Sequence, residues 1–338
     1  MNSRVNRQIL LDSRPTREPT AANFKLVETP VTEPGPGQVL VRNHYLSLDP
    51  YMRGRMGEQK SYAKPQPVGE VMIGGTVGQV VASRAPELAV GDFVTGMGGW
   101  QEYHLADAVM IRKIDTRSVP ITAYLGPAGM PGVTAWYGLN EIIAPKAGET
   151  VVVSAASGAV GSVVGQLAKA RGARVVGIAG GPDKCRYVTE ELGFDACLDH
   201  RSYSDAAAMV AALGAACPTG IDGCFENVGG IGLDAVLARA NPFARIALCG
   251  LIAGYNGRPI PISFPQLLLV MRIKLQGFIV SDHMEMWPKA LAELAALVGS
   301  GRLKYRETIA QGLEAAPGAF LGLLNGQNFG KQLVKLIP

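Results

Sequence analysis

A short glycine-containing turn carries the residues whose types and spacing most clearly indicate a chemistry. Ala155, Gly158 and Gly161 are spaced as A-x-x-G-x-x-G directly after Thr150–Ser154, a run rich in β-branched residues. Small residues at this spacing let a backbone turn sharply, approach a diphosphate and pack a following helix against the strand. The first N–H groups of such a helix attract an anion. The turn therefore predicts a dinucleotide site. A purely structural turn is the alternative, because Ala155 replaces the usual first glycine.

The end of the next apolar segment indicates which dinucleotide would bind. Proteins that bind NAD usually place Asp or Glu there to hold the ribose 2′-hydroxyl. Here Ala173–Ala179 is followed by two glycines, and the next cations are Lys184 and Arg186. Because a flexible ammonium suits a phosphate as a point charge, we predict NADP, with Lys184 contacting its 2′-phosphate. Alternatively, both cations are solvated residues that open the next helix.

An alternation of strands and helices must position this turn. Helices are predicted at Pro131–Ile143, Ser162–Ala170 and Pro288–Ser300. Strands are predicted at residues 150–154, 173–179, 196–199, 221–225, 245–249 and about 273–280. Six strands with intervening helices fit a doubly wound parallel sheet. We therefore expect an α/β fold with a Rossmann domain.

The first part of the chain has a different character. Short β-branched runs at residues 39–45, 75–82, 92–96 and 100–105 are separated by Pro and Gly. This pattern is typical of a small, partly open β-barrel. A final strand, Gly330–Ile337, is expected to return to that barrel. The predicted domains are therefore 1–127 with 310–338 for the barrel, and 128–309 for dinucleotide binding.

The composition excludes several classes of protein. The chain of 338 residues is 48% hydrophobic and 18% charged, which favours two well-buried globular domains. Its net charge of +4 includes no basic run, which argues against nucleic acid as a partner. No apolar run reaches about 18 residues, and no signal-type apolar core lies near Met1. We therefore expect no membrane partner and a cytoplasmic location.

The cysteines and histidines argue against a metal. The odd number of cysteines and the lack of C-x-x-C disfavour a disulfide scaffold or a structural zinc. They are Cys185, Cys197, Cys217, Cys224 and Cys249. The N-terminal domain has no Cys, and its histidines are His44 and His104. A catalytic zinc of the alcohol dehydrogenase type needs Cys, His and an acid, so no metal is predicted.

Six segments in order carry a family resemblance across essentially the whole chain. They are LSLDPYMRGRM (46–56), PGVTAWYGL (131–139), AASGAVGSVVGQLAK (155–169), FENVGG (225–230), CGLIAGYN (249–256) and NFGKQLVKL (328–336). They resemble the medium-chain dehydrogenase/reductase superfamily, which pairs an N-terminal GroES-like β-barrel domain with a Rossmann domain. Within it, the chain is most similar to the zinc-independent, NADP-dependent alkenal and enone reductases, such as prostaglandin, plant double-bond and bacterial curcumin reductases.

The resemblance implies a set of cofactor-binding residues near the carboxyl ends of the strands, where doubly wound sheets bind ligands. They are Gly158, Ala159, Val160 and Gly161 at the diphosphate turn, Gly180 and Lys184 after the second strand, Asn227 and Val228 after the fourth, Cys249, Gly250 and Tyr255 after the fifth, Phe278, Ile279 and Val280 at the sixth, and Asn328. Asn227 is alternatively a turn residue. Phe278 to Val280 are alternatively core residues that offer only backbone contacts.

One segment departs from the relatives. They commonly carry a tyrosine after the third strand that helps to hold the 2′-phosphate. Here that region reads Leu198-Asp199-His200-Arg201. We expect His200 or Arg201 to substitute for the tyrosine.

Without a metal, the hydride acceptor we expect is the β-carbon of an α,β-unsaturated carbonyl. Its carbonyl spreads the developing charge as an enolate, so the protein needs a donor at that oxygen and a proton for the α-carbon. The resemblance places Tyr255 facing the nicotinamide, and Tyr51 and Tyr62 are second candidates. Each is alternatively a packing tyrosine. The nicotinamide ribose 2′-hydroxyl is another possible donor.

We therefore predict an NADPH-dependent reductase of the C=C bond of enones and enals. The alternatives are an NADPH quinone reductase of the same superfamily and a non-catalytic NADPH-binding protein. A small-molecule enone or enal is the expected substrate. The expected partner is a second copy, joined through the edge strands of the Rossmann sheet. The apolar stretch Ile260–Arg272 is interpreted as core or dimer interface.

Overall fold

The computed structural model describes residues 4–337 and divides the chain into two compact units. Unit 1 contains the residues up to Leu125 and those from Glu307 onward, and unit 2 contains Gly126–Arg306. The predicted domain ranges include residues 1–3 and 338, which lie outside the described residues.

The two units are built from the following strands and helices. The strands are β1 (Val5–Leu11), β2 (Phe24–Pro30), β3 (Gln38–Ser47), β4 (Thr76–Ser83), β5 (Phe93–Gly96), β6 (Tyr103–Asp107), β7 (Arg112–Lys113), β8 (Thr150–Ser154), β9 (Arg174–Ala179), β10 (Ala196–Asp199), β11 (Ile221–Glu226), β12 (Ala240–Leu248), β13 (Lys274–Gly277), β14 (Glu307–Gln311) and β15 (Lys331–Lys335). The helices are α1 (Tyr51–Arg55), α2 (Met130–Tyr137), α3 (Gly161–Ala170), α4 (Pro182–Arg186), α5 (Ala206–Ala216), α6 (Ile231–Arg239), α7 (Gln266–Val270), α8 (Trp287–Gly299) and α9 (Ala316–Leu324).

Unit 2 is built around a six-stranded parallel sheet in the order β10-β9-β8-β11-β12-β13. The first strand along the chain, β8, lies in the middle and is buried at every residue. Because β8 pairs with both β9 and β11, the order reverses beside it. This is the order of a doubly wound Rossmann sheet. The predicted α/β fold with a Rossmann domain is confirmed.

Unit 1 contains a seven-stranded sheet along the path β14-β15-β3-β4-β5-β7, and β6 also pairs with β3. The long strand β3 therefore pairs with three strands, and two register shifts against β4 bend it. An antiparallel ribbon of β1 and β2 stands beside this sheet. Its core includes Trp100, which stacks on Phe24 with ring centroids 5.3 Å apart and meets Phe320 edge-on. The last strand, β15, joins this unit as the sequence predicts.

Several predicted elements have different bounds in the structure; the fifth strand of the Rossmann sheet, for example, begins at Ala240 rather than at residue 245. The sixth strand of the Rossmann sheet ends at Gly277, so Phe278–Val280 lie beyond it. The strand expected at 100–105 begins only at Tyr103, because Trp100 follows a turn in which Gly99 has φ +75°. The helix expected at 131–143 is α-helical to Tyr137 and then widens into a π-helical turn.

The widened turn has a packing reason. A β-carbon at Gly138 would lie 2.5 Å from the ring of Phe225 and 2.9 Å from that of Phe278. The missing side chain lets this part of the helix pack against the ring of Phe225 in β11 and that of Phe278, just beyond β13. Several elements were not predicted, among them the strands β1, β2, β7 and β14 and the helices α1 and α9.

Candidate active site

The predicted diphosphate turn follows β8 and is as tight as its glycines suggest. Ala155 has a left-handed backbone with φ +49°, which costs an alanine about 1 kcal/mol. The N–H of Gly158 donates to the carbonyl of Ala155 at 2.8 Å. A β-carbon at Gly161 would overlap that same carbonyl oxygen. The turn can therefore close only with glycine at this position.

The exposed part of this turn coincides with the residues expected to meet the anion. Gly158, Ala159 and Val160 are partly exposed, whereas Gly161 is buried at the start of α3. The helix also packs closely farther along, since a β-carbon at Gly165 would overlap the ring of Phe194. The turn thus presents backbone at the N-terminus of a firmly docked helix, where an anion is stabilised.

Three basic side chains lie near the end of β9. A β-carbon at Gly180 would lie 2.9 Å from Nε2 of His200 and 3.2 Å from Nε of Arg201. The charge of Arg201 also acts on Lys184: burial and that charge lower the pKa of the Lys184 ammonium. Lys184, His200 and Arg201 therefore form one cluster at the end of the second strand. We refer to these three residues as the basic cluster.

An aspartate orders the backbone beneath the basic cluster. Oδ1 of Asp199 accepts hydrogen bonds from the N–H of Gly181 at 2.8 Å and of Arg201 at 3.0 Å. Burial opposes the ionised carboxylate, but these two donors and nearby cations lower the pKa of Asp199. The Asp199 carboxylate therefore links the turn after β9 to the turn after β10, which together carry the basic cluster.

A second group of predicted residues lies where β8 and β11 end side by side. The side chain of Asn227 donates to the carbonyl of Ser154 at 2.8 Å, and its backbone N–H donates to Oγ of Ser154 at 2.7 Å. Its neighbour Val228 is partly exposed. Asn227 is therefore held in a turn, in agreement with the alternative interpretation, while its turn lies at the crevice where doubly wound sheets bind ligands.

Sequence reasoning missed the residue at the centre of this turn. Glu226 is completely buried, and Oε1 accepts hydrogen bonds from Ser154 Oγ at 2.8 Å and from the N–H of Val228 and Gly229 at 2.6 and 2.8 Å. Burial raises the pKa of this carboxyl, although its donors act in the opposite direction. The available signal was an acid at the last position of the strand, after Gly-Cys-Phe and just before Asn-Val-Gly-Gly.

The residues after β12 meet the same turn. The N–H groups of Cys249 and Gly250 donate to the carbonyl of Glu226 at 2.9 and 3.1 Å. A β-carbon at Gly250 would lie 3.2 Å from both the Tyr255 hydroxyl and the carbonyl oxygen of Asn227. The structure thus brings Tyr255, Gly250 and Asn227 together. Cys249 is partly exposed, and burial followed by the charge of Glu226 raises the pKa of its thiol to about 12, so the thiol is protonated at pH 7.

The residues after β13 are mainly structural. Phe278 is buried, with its ring centroid 5.4 Å from that of Tyr137 and 6.1 Å from that of Phe225. Ile279 is half-buried, and the carbonyl of Val280 accepts a hydrogen bond from the indole of Trp287 at 3.1 Å. The Phe278 side chain is therefore part of the core, so this one residue can offer a cofactor only its backbone atoms.

Three predicted residues lie in unit 1. Tyr51 begins α1 and is half-buried, and burial followed by the charges of Asp49 and Tyr62 raises the pKa of its hydroxyl. Tyr51 and Tyr62 are therefore neighbours, and Tyr62 is 60% exposed. The amide of Asn328 donates to the carbonyl of Gly330 at 2.7 Å, which shapes the turn before β15.

Two further observations concern metals and membranes. Within residues 4–337, no three His, Cys, Asp or Glu side chains lie close enough together to hold a metal ion. Burial lowers the pKa of His104 to about 4, so this imidazole is neutral at pH 7. In the same part of the chain, no helix is long and apolar enough to span a membrane.

Comparison with known proteins matches both units to oxidoreductase families. Residues 7–114 match a family described as the N-terminal domain of oxidoreductase. Residues 159–296 match a family described as zinc-binding dehydrogenase.

Similar proteins cover nearly the whole chain. It is 48% identical to NADPH-dependent curcumin reductase of Escherichia coli (strain K12), over 98% of this chain and 97% of that protein. It is 41% identical to 2-alkenal reductase (NADP(+)-dependent) of Nicotiana tabacum, over 97% of each chain. The crystal structure of CurA from Vibrio vulnificus in complex with NADPH has a TM-score of 0.92 at 46% identity, over 98% of this chain and 99% of that one.

We call the turns after β8, β9, β11 and β12 the strand-end site. This site, the fold and these relatives together define a dehydrogenase/reductase with a dinucleotide-binding domain. The chain belongs to the medium-chain dehydrogenase/reductase superfamily, in the group that contains the curcumin, 2-alkenal and prostaglandin reductases. The resemblance stated from the sequence is confirmed.

Proposed function

We propose that this protein uses NADPH to reduce the C=C bond of α,β-unsaturated ketones and aldehydes. The basic cluster is the structural observation that carries the choice of cofactor, because its three cationic or titratable side chains meet where NAD-binding proteins place a carboxylate. The names of the similar curcumin, 2-alkenal and prostaglandin reductases support the choice of reaction.

The described residues fit an NADP-type cofactor. At Gly161 the β-carbon of any other residue would crowd the backbone of Ala155, and at Gly250 it would crowd the Tyr255 hydroxyl and the backbone of Asn227. Glycine at both positions therefore leaves the backbone open to a cofactor. We assign the diphosphate to the backbone of Gly158–Gly161 and the 2′-phosphate to the basic cluster. Asn227 and Val228 would border the nicotinamide ribose. Bound there, the cofactor supplies the hydride.

The protein's own part in the reaction is to hold the substrate carbonyl and provide protons. Hydride addition at the β-carbon leaves negative charge on the carbonyl oxygen. A hydrogen-bond donor at that oxygen therefore lowers the barrier. We assign this donor to Tyr255, whose hydroxyl lies beside Gly250 at the strand-end site. Tyr51 and Tyr62, neighbours in unit 1, are the second candidates. The α-carbon then takes a proton to complete the reduction.

The experiment is a comparison of acceptors and cofactors with the purified protein. NADPH oxidation is followed with a linear enone, an enal and a quinone, and each reaction is repeated with NADH. We expect turnover of the enone and enal with NADPH, and a much higher KM for NADH. Turnover of the quinone alone would instead identify a quinone reductase. Tight NADPH binding without turnover of any acceptor would identify a non-catalytic protein.

We also propose a homodimer formed through the free edge of the Rossmann sheet, in the cytoplasm. Strand β13 ends the sheet and pairs only with β12 among the described strands. Just before it, Leu269 and Val270 are 80% and 57% exposed, which is unusual for large apolar residues. Sedimentation of the wild-type protein and of Leu269→Lys tests the dimer: we expect the variant to dissociate. Cell fractionation tests the compartment.

A further inference from the structure

Glu226 is a buried carboxyl group at the end of β11 that the proposed reaction does not use. Its side chain has no solvent-accessible surface, so it does not itself touch a ligand. Yet it lies next to the end of β8, where the order of the parallel strands reverses. Ligands of doubly wound sheets bind at this point. Glutamate is rarely buried completely, so the position of Glu226 needs a structural explanation.

The hydrogen bonds of Glu226 supply that explanation. One carboxyl oxygen, Oε1, receives the Ser154 hydroxyl and the backbone N–H groups of Val228 and Gly229. The same hydroxyl accepts the N–H of Asn227. Three consecutive N–H groups, from residues 227 to 229, therefore depend directly or through Ser154 on this one carboxyl. They fix the turn that follows the fourth strand of the sheet.

This turn, at residues 227–229, also fixes the segment that follows β12. The carbonyl oxygens of Asn227 and Val228 accept the N–H groups of Ile252 and Ala253 at 3.2 and 3.1 Å. This segment leads directly to Tyr255. Both loops assigned to the nicotinamide end of the cofactor are thus held by a network that has the Glu226 carboxyl at its centre.

We propose that Glu226 is a positioning residue, which shapes the 227–230 and 249–255 loops for the nicotinamide half of the cofactor. This inference rests on the proposed NADPH-dependent function. Removing the carboxyl would leave buried N–H groups unpaired, and the loops would rearrange to satisfy them. The basic cluster at the end of β9 is built from other residues and would keep its shape. The variant should therefore lose affinity for the nicotinamide half of the cofactor and keep its affinity for the adenosine 2′-phosphate half.

The test compares NADPH with 2′,5′-ADP, a fragment that has the adenosine 2′-phosphate but lacks the nicotinamide half. For Glu226→Ala we expect the Kd of NADPH to rise about ten-fold and that of 2′,5′-ADP to change less than about two-fold. The kcat for an enone should fall as well, because the nicotinamide is misplaced. Glu226→Gln keeps an acceptor oxygen for the three donors, so it should recover most of the NADPH affinity.

A matched control separates positioning from a general loss of stability. Asp234, in α6, is another buried carboxylate of unit 2. It accepts hydrogen bonds from the N–H and the hydroxyl of Ser263 rather than from the 227–229 turn. Asp234→Ala should lower stability without changing the ratio of the two Kd values. If Glu226→Ala does not fold, Ser154→Ala interrupts the same network and should show the same selective loss.

Two outcomes overturn the inference. One is that the Glu226 and Ser154 variants keep the wild-type Kd for both NADPH and 2′,5′-ADP and the wild-type kcat. The other is an equal loss of affinity for NADPH and 2′,5′-ADP in Glu226→Ala, which would indicate general destabilisation. If the wild-type protein itself does not bind NADPH, the proposed function fails, and that result is distinct from both.

Discussion

Lys331 and Asp49 form a buried ion pair in unit 1, with Nζ 2.8 Å from Oδ1 and side chains only 3% and 8% exposed. The ammonium also donates to the carbonyl of Leu48 at 2.6 Å, and the Ser47 hydroxyl donates to the other oxygen of Asp49. The pair therefore joins β15 to the residues that lead into α1, which begins with Tyr51. Tyr51, which the sequence singled out, lies two residues after this paired aspartate.

We expect Lys331→Met to lower the free energy of unfolding by about 3–5 kcal/mol, because it leaves the Asp49 carboxylate buried without its partner. Chemical denaturation measures the effect. The control is Lys169→Met, which breaks the 2.9 Å ion pair with Asp195 at a more exposed position. That loss should be about 1 kcal/mol or less. Equal losses in the two variants would contradict the role given to the buried pair.

Gly161→Ala should destabilise the protein by about 2–3 kcal/mol, since the new methyl group would overlap the carbonyl of Ala155. We expect it to weaken NADPH binding as well, because the diphosphate turn must open to admit it. Gly232→Ala is the matched control: it also lies near the start of a helix, and its β-carbon would meet no atom within 4 Å. This control should be neutral or stabilise by about 0.5–1 kcal/mol. Thermal unfolding and NADPH titration report both effects.

Arg201→Ala should raise the Kd of NADPH about ten- to one-hundred-fold and leave that of NADH unchanged, because only NADPH carries the 2′-phosphate. Lys184→Ala should act in the same direction. Arg186→Ala is the control, since Arg186 pairs with Asp183 on the same helix. A comparable loss of NADH affinity in Arg201→Ala would show that Arg201 does not act through the phosphate. Fluorescence titration with each nucleotide provides the Kd values.

The affinity for NADPH should fall as the pH rises from 7 to 9. In the free protein, burial lowers the pKa of His200, the charges of Arg201 and Lys184 act in the same direction, and Asp199 opposes them. A phosphate dianion beside this imidazole favours its protonated form, so binding raises the pKa and takes up a proton. The contribution of protonated His200 to NADPH affinity is fully present below the pKa of the free protein, and it is lost as the pH rises through the higher pKa of the complex.

His200→Gln should flatten this dependence, and NADH should show little of it in the wild-type protein. The pH range stays above the second pKa of a phosphate monoester, about 6, so the ligand remains a dianion. An identical pH profile for His200→Gln and wild type would remove His200 from the phosphate site. Isothermal titration in buffers of different ionisation enthalpy counts the protons directly.

Tyr255→Phe should lower the kcat for an enone about ten-fold or more while leaving the Kd of NADPH nearly unchanged. The hydroxyl is lost, but the ring that packs at the strand-end site remains. Tyr103→Phe, in β6 of unit 1, serves as a control outside the proposed site. An unchanged kcat would remove Tyr255 from the mechanism and favour the ribose 2′-hydroxyl as the donor.

The sequence alone determined the Rossmann domain, its diphosphate turn and the family. These features rest on local signals: β-branched runs such as Thr150–Ser154, glycines at fixed spacing and helices between the runs. A steric requirement such as that of Gly161 acts over six residues, so it can be read from spacing. The limits of such reasoning appear at Phe278, where a strand-like apolar run continues past Gly277 because the side chain enters an aromatic cluster.

Tertiary structure alone decided which distant residues act together. The parallel register that sets Asp199 opposite Ala179 brings His200 and Arg201 over Gly180. The pairing of β8 with β11 places Ser154 against Glu226, and the strand order that produces this neighbourhood is not written in either segment. Likewise, Lys331 meets Asp49 across 282 positions. Such contacts depend on how strands are ordered and registered, which is a property of the whole packed chain.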